Sequence, residues 1–281
     1  MQSAKRKSGA PLSPGRPPPT APPGEVSGRL LRTQIAKRMT EPTSSRHRAI
    51  LAMLLAAVLW SLGGLLIKWV QWHPMAISGM RSAIAAVFLL VVLRRPRFTW
   101  SPAQLGCAVA YAGTVVLFVV ANKWTTAAHA ILLQYTGPVW VALFGGWLLG
   151  ERATWLDWAA IALVLGGLSL FFLEGLGSGG FAGDVIAVLS GICFGSLALL
   201  MRKQRGGSPA ESILLGNALA ALTGLPFMFD TLPEATSWVG LLLLGIVQLG
   251  VPYYLYSVAI HHLTALEAIL IPVVEPLLNP I

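Results

Sequence analysis

Long runs of apolar residues, separated by short polar connections, dominate the chain from Ile50 to its last residue. A helix needs roughly 20 mainly apolar residues to cross the hydrocarbon layer of a bilayer. The pattern predicts an all-α integral membrane protein, and the short connections favour an up-and-down bundle of nine helices. The predicted segments are 50–70, 75–93, 103–121, 127–149, 155–173, 182–201, 212–229, 237–260 and a ninth that begins near Thr264.

Composition supports this class. The chain is 55% hydrophobic and 11% charged, whereas a typical soluble domain has about 25% charged residues. The sequence has no phosphate-binding loop, no His-Glu-x-x-His and no Gly-x-Ser-x-Gly, so it predicts neither an enzyme nor a cofactor. Cys107 and Cys193 both lie in apolar runs and are read as small hydrophobic residues, without a disulfide or a metal site.

The first 48 residues have a different character. They hold ten of the 20 Lys and Arg residues, only two acids and a proline-rich stretch over 11–23. We predict a disordered tail over residues 1–48. It contains no aromatic residue for base stacking, so no nucleic-acid binding is expected. A start of translation at Met39 stays open.

Basic residues indicate the orientation of the bundle. They cluster in alternate connections, at residues 94–97, at Arg152 and at residues 202–205, on the same side as the tail. Because cytoplasmic loops carry an excess of Lys and Arg, we expect a multi-pass protein of the cell (inner) membrane with its N-terminus in the cytoplasm.

The two halves of the apolar region resemble each other. Residues 60–68 align with 194–202 at an offset of 134, and residues 126–138 align with 264–276 at an offset of 138. A repeat of this length holds five helices, an odd number, so the second copy would enter the membrane from the opposite side. Inverted repeats are typical of secondary transporters, whose substrate site lies near the bilayer midplane. We predict a first repeat over 49–174 and an incomplete second repeat over 182–281.

With these features the chain resembles the EamA family of the drug/metabolite transporter superfamily. The resemblance rests on residues 59–68, Arg81, Pro138 and 148–151 in the first half, and on 265–270 and 275–280 in the second. It implies ten helices in a five-plus-five inverted repeat, and small metabolites such as amino acids, their derivatives or drug-like compounds as substrates. The family pattern continues beyond Pro280 to a tenth helix, so the resemblance also implies a chain shortened at its C-terminus.

Charged residues deep in a membrane are costly and usually functional. The candidates are Arg81 in the second predicted segment, and Glu267 and Glu275 in the ninth. We interpret Arg81 either as a cavity residue or as a member of a structural ion pair. Glu267 fits an interfacial or helix-start role. Glu275 lies deeper and is a candidate site for proton exchange.

Prolines and aromatic residues add further candidates. Pro138, Pro272 and Pro276 each leave a helix carbonyl without its usual donor, and broken helices often line transport cavities, although ordinary packing kinks remain the alternative. Side chains that could face a substrate are Trp60, Tyr135, Asn217, Gln248, Tyr253 and Tyr256. The pairs Gly146/Gly150 and Gly191/Gly195 have the spacing of close helix packing.

The sequence therefore favours a secondary transporter that exports small metabolites by alternating access, with coupling to protons left open. Two alternatives also stay open: a non-transporting membrane scaffold or receptor, and an exchanger of nucleotide sugars or sugar phosphates from the same superfamily. The expected partners are the lipid bilayer, a small-molecule substrate and protons. A homodimer is a further open possibility.

Overall fold

A computed structural model of the chain describes residues 43–171, 180–207, 209–230 and 232–278, and within them every regular element is helical. Residues 1–42 of the predicted tail lie outside the described residues. The first helix begins at Thr43, so the prediction of disorder is wrong for residues 43–48. One reason is a contact that no local pattern contains: Arg46 forms an ion pair of 2.7 Å with Glu267, at the other end of the chain.

The helices follow the nine predicted segments closely, and four of the segments are interrupted. The helices are α1a (Thr43–Trp60), α1b (Gly63–Trp69), α2 (Pro74–Leu93), α3 (Pro102–Trp124), α4a (Ala127–Gln134), α4b (Gly137–Leu149), α5 (Trp155–Phe171), α6 (Phe181–Lys203), α7 (Pro209–Gly224), α8a (Ala235–Leu242), α8b (Val251–Ala259), α9a (Ala265–Leu270) and α9b (Val274–Leu278). A π-helical turn (Leu243–Gly250) joins the parts of α8, and a 3-10 turn (Ile271–Val273) joins the parts of α9. Another 3-10 turn (Leu225–Met228) extends α7.

Seven of the helical segments in the described part of the chain are long and apolar enough to cross a membrane. They are α1, α2, α3, α4, α6, α7 and α8. For α1, α4 and α8 the segment includes both parts of the interrupted helix, and for α7 it includes the 3-10 turn. The apolar helix α5 is shorter. Large apolar side chains point outward, as expected where lipid replaces water: Trp155 is 76% exposed and Leu163 is 77% exposed.

Local sequence explains where the helices start and stop. Proline occupies the first turn of α2 and of α3, where its missing N–H has no helical acceptor. The Ser101 hydroxyl accepts a hydrogen bond of 3.2 Å from the N–H of Gln104 and so caps α3. Gly150 ends α4b with a left-handed φ of 71°. These stops keep the connections between helices short.

Close packing of α3 and α4 against α6 forms the centre of the bundle, and α7 packs against α2 and α3. Gly191 and Gly195 of α6 permit this approach. A Cβ atom at Gly191 would lie 2.6 Å from Thr136 Oγ1, and one at Gly195 would lie 2.7 Å from the carbonyl oxygen of Gly137. The predicted packing role is thus confirmed for this pair. It is wrong for Gly150, where a Cβ atom would meet no described atom within 4 Å.

Candidate functional site

A cavity of about 30 Å³ lies where the interrupted helices meet. This volume holds about two water molecules, so the cavity must widen to bind a larger ligand. Residues from α1a, α2, α3, α6, α8 and α9b, and from the end of α4a, line it. The lining residues are Trp60, Arg81, Thr114, Val115, Phe118, Gln134, Phe194, Gln248, Leu249, Tyr253 and Glu275.

Several lining residues occupy the interruptions themselves. Trp60 is the last residue of α1a, Gln134 is the last residue of α4a, and Gln248 lies in the π-helical turn of α8. Glu275 is the second residue after the 3-10 turn of α9. The helix breaks therefore place polar and aromatic side chains around one space inside an apolar bundle.

Arg81 is the only Arg or Lys that lines the cavity in the described part of the chain. It is 1% exposed. Its Nη1 donates to Gln248 Oε1 at 3.0 Å and its Nη2 donates to the carbonyl oxygen of Val115 at 2.9 Å, while the buried Nε has no partner. Among the described residues no carboxylate lies within ion-pair distance of the guanidinium. The predicted structural ion pair of Arg81 is therefore not present, and the predicted cavity position is.

Aromatic rings form one wall of the cavity around Trp60. Its ring centroid lies 5.0 Å from that of Tyr253 and 6.2 Å from that of Phe194. The Tyr256 ring packs edge-on against Trp60 at 6.0 Å, but Tyr256 does not line the cavity. The indole Nε1 of Trp60 is buried without a hydrogen-bond partner. This wall offers apolar contact and one free donor.

Glu275 lies at another wall and is tied to the opposite half of the chain. The Tyr135 hydroxyl contacts Glu275 Oε2 at 2.9 Å and the carbonyl oxygen of Pro272 at 2.7 Å. Pro276 has no N–H to donate to that carbonyl, and the tyrosine supplies a donor instead. Tyr135 thus stands behind the cavity, with its ring 1% exposed, and positions Glu275.

Three other predicted residues lie away from the lining. Asn217 is fully buried and accepts a hydrogen bond of 3.0 Å from the Tyr111 hydroxyl. Glu267 forms a capping box with Thr264 at the start of α9a and also pairs with Arg46. Pro138 is the second residue of α4b, next to the break in α4, and does not line the cavity.

Some lining residues were not predicted from the sequence, among them Thr114, Phe118, Gln134 and Phe194. A signal was available for one of them. Phe194 aligns with Trp60 in the internal repeat, and both rings line the same space. The repeat therefore contained the information that a second aromatic residue would accompany Trp60.

Polar contacts join the two halves of the chain near both ends of α6. At one end, called here the Arg202 end, Arg202 Nε pairs with Glu151 Oε1 at 2.8 Å, and the N–H of Ala265 donates to Glu151 Oε2 at 3.1 Å. At the other, the His129 end, His129 Nδ1 lies 2.8 Å from Asp184 Oδ1, and Thr125 Oγ1 donates to the same oxygen at 2.9 Å. Each set joins helices from the two halves of the chain.

A helical membrane protein with a polar cavity at its helix breaks is the class that this fold and site define. The chain belongs to the EamA-like transporter family, whose model matches residues 47–173 and again residues 181–281. The recognition of that family from the sequence is thereby confirmed.

Three similar proteins agree with this assignment. An uncharacterised transporter of Archaeoglobus fulgidus is 26% identical over 231 residues, covering 80% of this chain and 83% of the relative. The aromatic amino acid exporter YddG of Ancylobacter novellus is 24% identical over 223 residues, covering 76% and 72%. A solved crystal structure with 22% identity superimposes with a TM-score of 0.69 over 82% of this chain and 85% of the other. This last likeness supports the fold.

Proposed function

We propose that this chain is a secondary transporter of the cell (inner) membrane that exports small metabolites by alternating access. The single observation that carries the proposal is the cavity at the helix breaks, which is lined by both halves of the chain and holds the buried Arg81. Interrupted helices around a polar site near the middle of the bundle are a recurring design of secondary transporters.

An inverted repeat is a common architecture of alternating-access transporters, and the cavity supports such a repeat in this chain. Three pairs of lining residues have the same separation of 134 positions: Trp60 and Phe194, Thr114 and Gln248, and Val115 and Leu249. The family model also matches once in each half. The two halves therefore contribute equivalent positions to one site.

Helix packing follows the same exchange of halves. Helix α3 packs against α6, and its counterpart α8b packs against α1a. Helix α3 also packs against α7, and the π-helical turn of α8 packs against α2. In both cases, replacing each helix by its counterpart in the other half, five helices along the chain, gives a pair of helices that are also in contact.

Alternating access would open the Arg202 end and the His129 end in turn. Exposed basic residues surround the Arg202 end: Arg94, Arg95, Arg152, Lys203 and Arg205. By the excess of Lys and Arg in cytoplasmic loops, this end faces the cytoplasm and so does the N-terminus. In the described structure polar contacts tie the halves together at both ends.

The aromatic wall favours substrates with an apolar or aromatic body. Trp60, Phe194 and Tyr253 offer ring faces and edges within a small space. The relative named as an aromatic amino acid exporter supports export as the direction and small metabolites as the cargo of this chain. The cavity volume of about 30 Å³ is too small for such a molecule, so one end of the bundle would have to open and the cavity widen to admit it.

Glu275 is the proposed proton site. The Tyr135 hydroxyl has one hydrogen and two close acceptor oxygens, on Pro272 and Glu275. When Glu275 carries a proton, it donates to Tyr135, and Tyr135 donates to Pro272. When Glu275 loses its proton, Tyr135 turns its hydrogen to the carboxylate and the Pro272 carbonyl loses its donor. Proton exchange would thereby alter the break in α9.

Flux measurements in proteoliposomes test the proposal. The purified chain should give saturable flux of at least one member of a panel of small amino acids, amines and carboxylic acids, accelerated by an imposed proton gradient. Glu275→Gln should abolish the acceleration by the gradient. The matched change Glu267→Gln, at the capping residue outside the cavity, should retain it. Absence of flux across the whole panel would count against transport.

A further inference from the structure

The two buried arginines of the bundle have different surroundings. Arg202 is 8% exposed and pairs with Glu151, and its Nη1 also donates to the carbonyl oxygen of Ile260 at 3.0 Å. Arg81 is more deeply buried, at 1%, yet it has only the neutral acceptors of Gln248 and Val115. A buried charge without a counter-charge is costly. Arg81 therefore lacks the partner that the other buried arginine has.

The missing counter-charge belongs on the cavity side of Arg81. The guanidinium is a lining group of the cavity, and its Nε is a buried donor without an acceptor. A carboxylate can take two parallel hydrogen bonds from one guanidinium, through a geometry that neutral acceptors do not satisfy. The charge and the unused donor together fit an oxyanion supplied from the cavity.

The charges of the lining limit this anion to a single negative charge when Glu275 is protonated. Among the described lining residues, Arg81 is the one cationic side chain and Glu275 is the one carboxylate, so the lining then has one uncompensated positive charge. A phosphate monoester or a dicarboxylate would leave charge uncompensated in a buried site. The rings of Trp60, Phe118 and Phe194 also line the cavity, which favours an aromatic or apolar body for the rest of the ligand.

We propose that Arg81, held by Gln248, is a carboxylate-binding subsite, and that the ligand is a small monocarboxylate with an aromatic or apolar body. This proposal rests on the proposed transport function and names the substrate class of the same cavity. Gln248 acts as a positioning residue: its Oε1 holds Arg81 Nη1 and leaves the Nε edge for the ligand.

Ligand-induced thermal stabilisation of the purified, detergent-solubilised chain tests the subsite, because a ligand that binds only the folded state raises Tm. The probes share one body: 3-phenylpropionate, its amide, and 2-phenylethylamine. We expect the acid to raise Tm in a saturable way and the amide and the amine to leave Tm unchanged. This comparison uses the unchanged protein, so it tests recognition of the carboxylate even if a variant fails to fold. Equal stabilisation by acid and amide would overturn the proposal.

Variants add a second measurement. Arg81→Gln should weaken the affinity for 3-phenylpropionate about 30-fold or more, since truncating one side of a buried charged pair costs about 2 kcal/mol or more. Arg81→Lys keeps the charge but loses the planar fork, so its affinity should be intermediate. Glu267→Gln, at the capping residue outside the cavity, should retain binding of the acid. Unchanged affinity in a folded Arg81→Gln protein would contradict the subsite.

Flux separates this proposal from the transport function on which it rests. Saturable flux of amines but not of monocarboxylates would leave transport standing and overturn the subsite. Binding of 3-phenylpropionate through Arg81 without flux of any member of the panel would leave the subsite standing and contradict transport.

Discussion

The Tyr135 hydroxyl, at the end of α4a, lies 2.7 Å from the carbonyl oxygen of Pro272 in the break of α9. These two residues come from opposite halves of the chain, 137 positions apart. Each stands at an interruption of its own helix. The contact therefore couples the break in α4 directly to the break in α9, and it supplies a donor where Pro276 has none.

Removal of this hydroxyl should be costly. Tyr135→Phe leaves a buried carbonyl without the tyrosine donor, which typically costs about 1–3 kcal/mol, and it also frees Glu275 to move. We expect a lower Tm and slower flux. Thermal unfolding in detergent and proteoliposome flux are the measurements. Tyr254→Phe, at a half-buried tyrosine of α8b outside the cavity, is the matched control and should change neither quantity appreciably.

The ion pair of the Arg202 end should contribute to stability. Glu151→Gln leaves Arg202 buried without a full counter-charge. We expect a loss of about 2–3 kcal/mol, below the value for a fully buried pair, because the Glu151 side chain is 20% exposed. Glu234→Gln is the matched control: it makes the same change at an exposed glutamate before α8a and removes no counter-charge from a buried arginine. Equal Tm values for both variants would show that the ion pair contributes nothing measurable.

Two glycines should respond differently to the same substitution. A Cβ atom at Gly191 would lie 2.6 Å from Thr136 Oγ1 and 2.9 Å from the carbonyl oxygen of Gln134, so Gly191→Ala must push α6 away from the break in α4. At Gly166 of α5 a Cβ atom would meet no described atom within 4 Å. Gly166→Ala should keep or raise Tm, since alanine favours a helix over glycine by about 1 kcal/mol.

A destabilised Gly191→Ala protein beside an unaffected Gly166→Ala protein is the expected result of thermal unfolding. If both variants unfold at the temperature of the unchanged chain, the contact between α6 and the break in α4 is looser than described.

Orientation can be measured with single cysteines. Cys107 and Cys193 are free thiols and would first be replaced by alanine. In that background a cysteine substituted at Arg205 should react with a membrane-impermeant maleimide only after the cells are permeabilised. One substituted at Glu234 should react in intact cells. The reversed pattern would place the N-terminus outside and contradict the proposed cytoplasmic position of the Arg202 end.

Sequence alone predicted the helix positions well because the physical signals are strong. Apolar runs alternate with polar connections, and features such as Pro102 and Gly150 mark helix ends locally. The positions of Arg81 and Glu275 in the lining also follow from depth, since a charge far inside an apolar helix has few other places to go.

Long-range contacts and some helix breaks were beyond this kind of reasoning. The pairing of Arg46 with Glu267 spans 221 positions and leaves no periodic trace. The break after Trp60 contains no proline. Ser61 donates instead to the carbonyl oxygen of Val58 at 2.7 Å, a side-chain contact that competes with helix continuation. The π-helical turn did have a signal, since Pro252 deprives the carbonyl of Gln248 of its usual donor.

The interruptions around the cavity have a consequence for how such a protein diversifies. The outer turns of the helices are regular and packed, whereas the interruptions near Trp60, Gln134, Gln248 and Glu275 each place one side chain in the cavity lining. A single substitution at an interruption changes the chemistry of the cavity and leaves the surrounding helices in place. Recognition can therefore evolve one residue at a time, on a scaffold that need not be rebuilt.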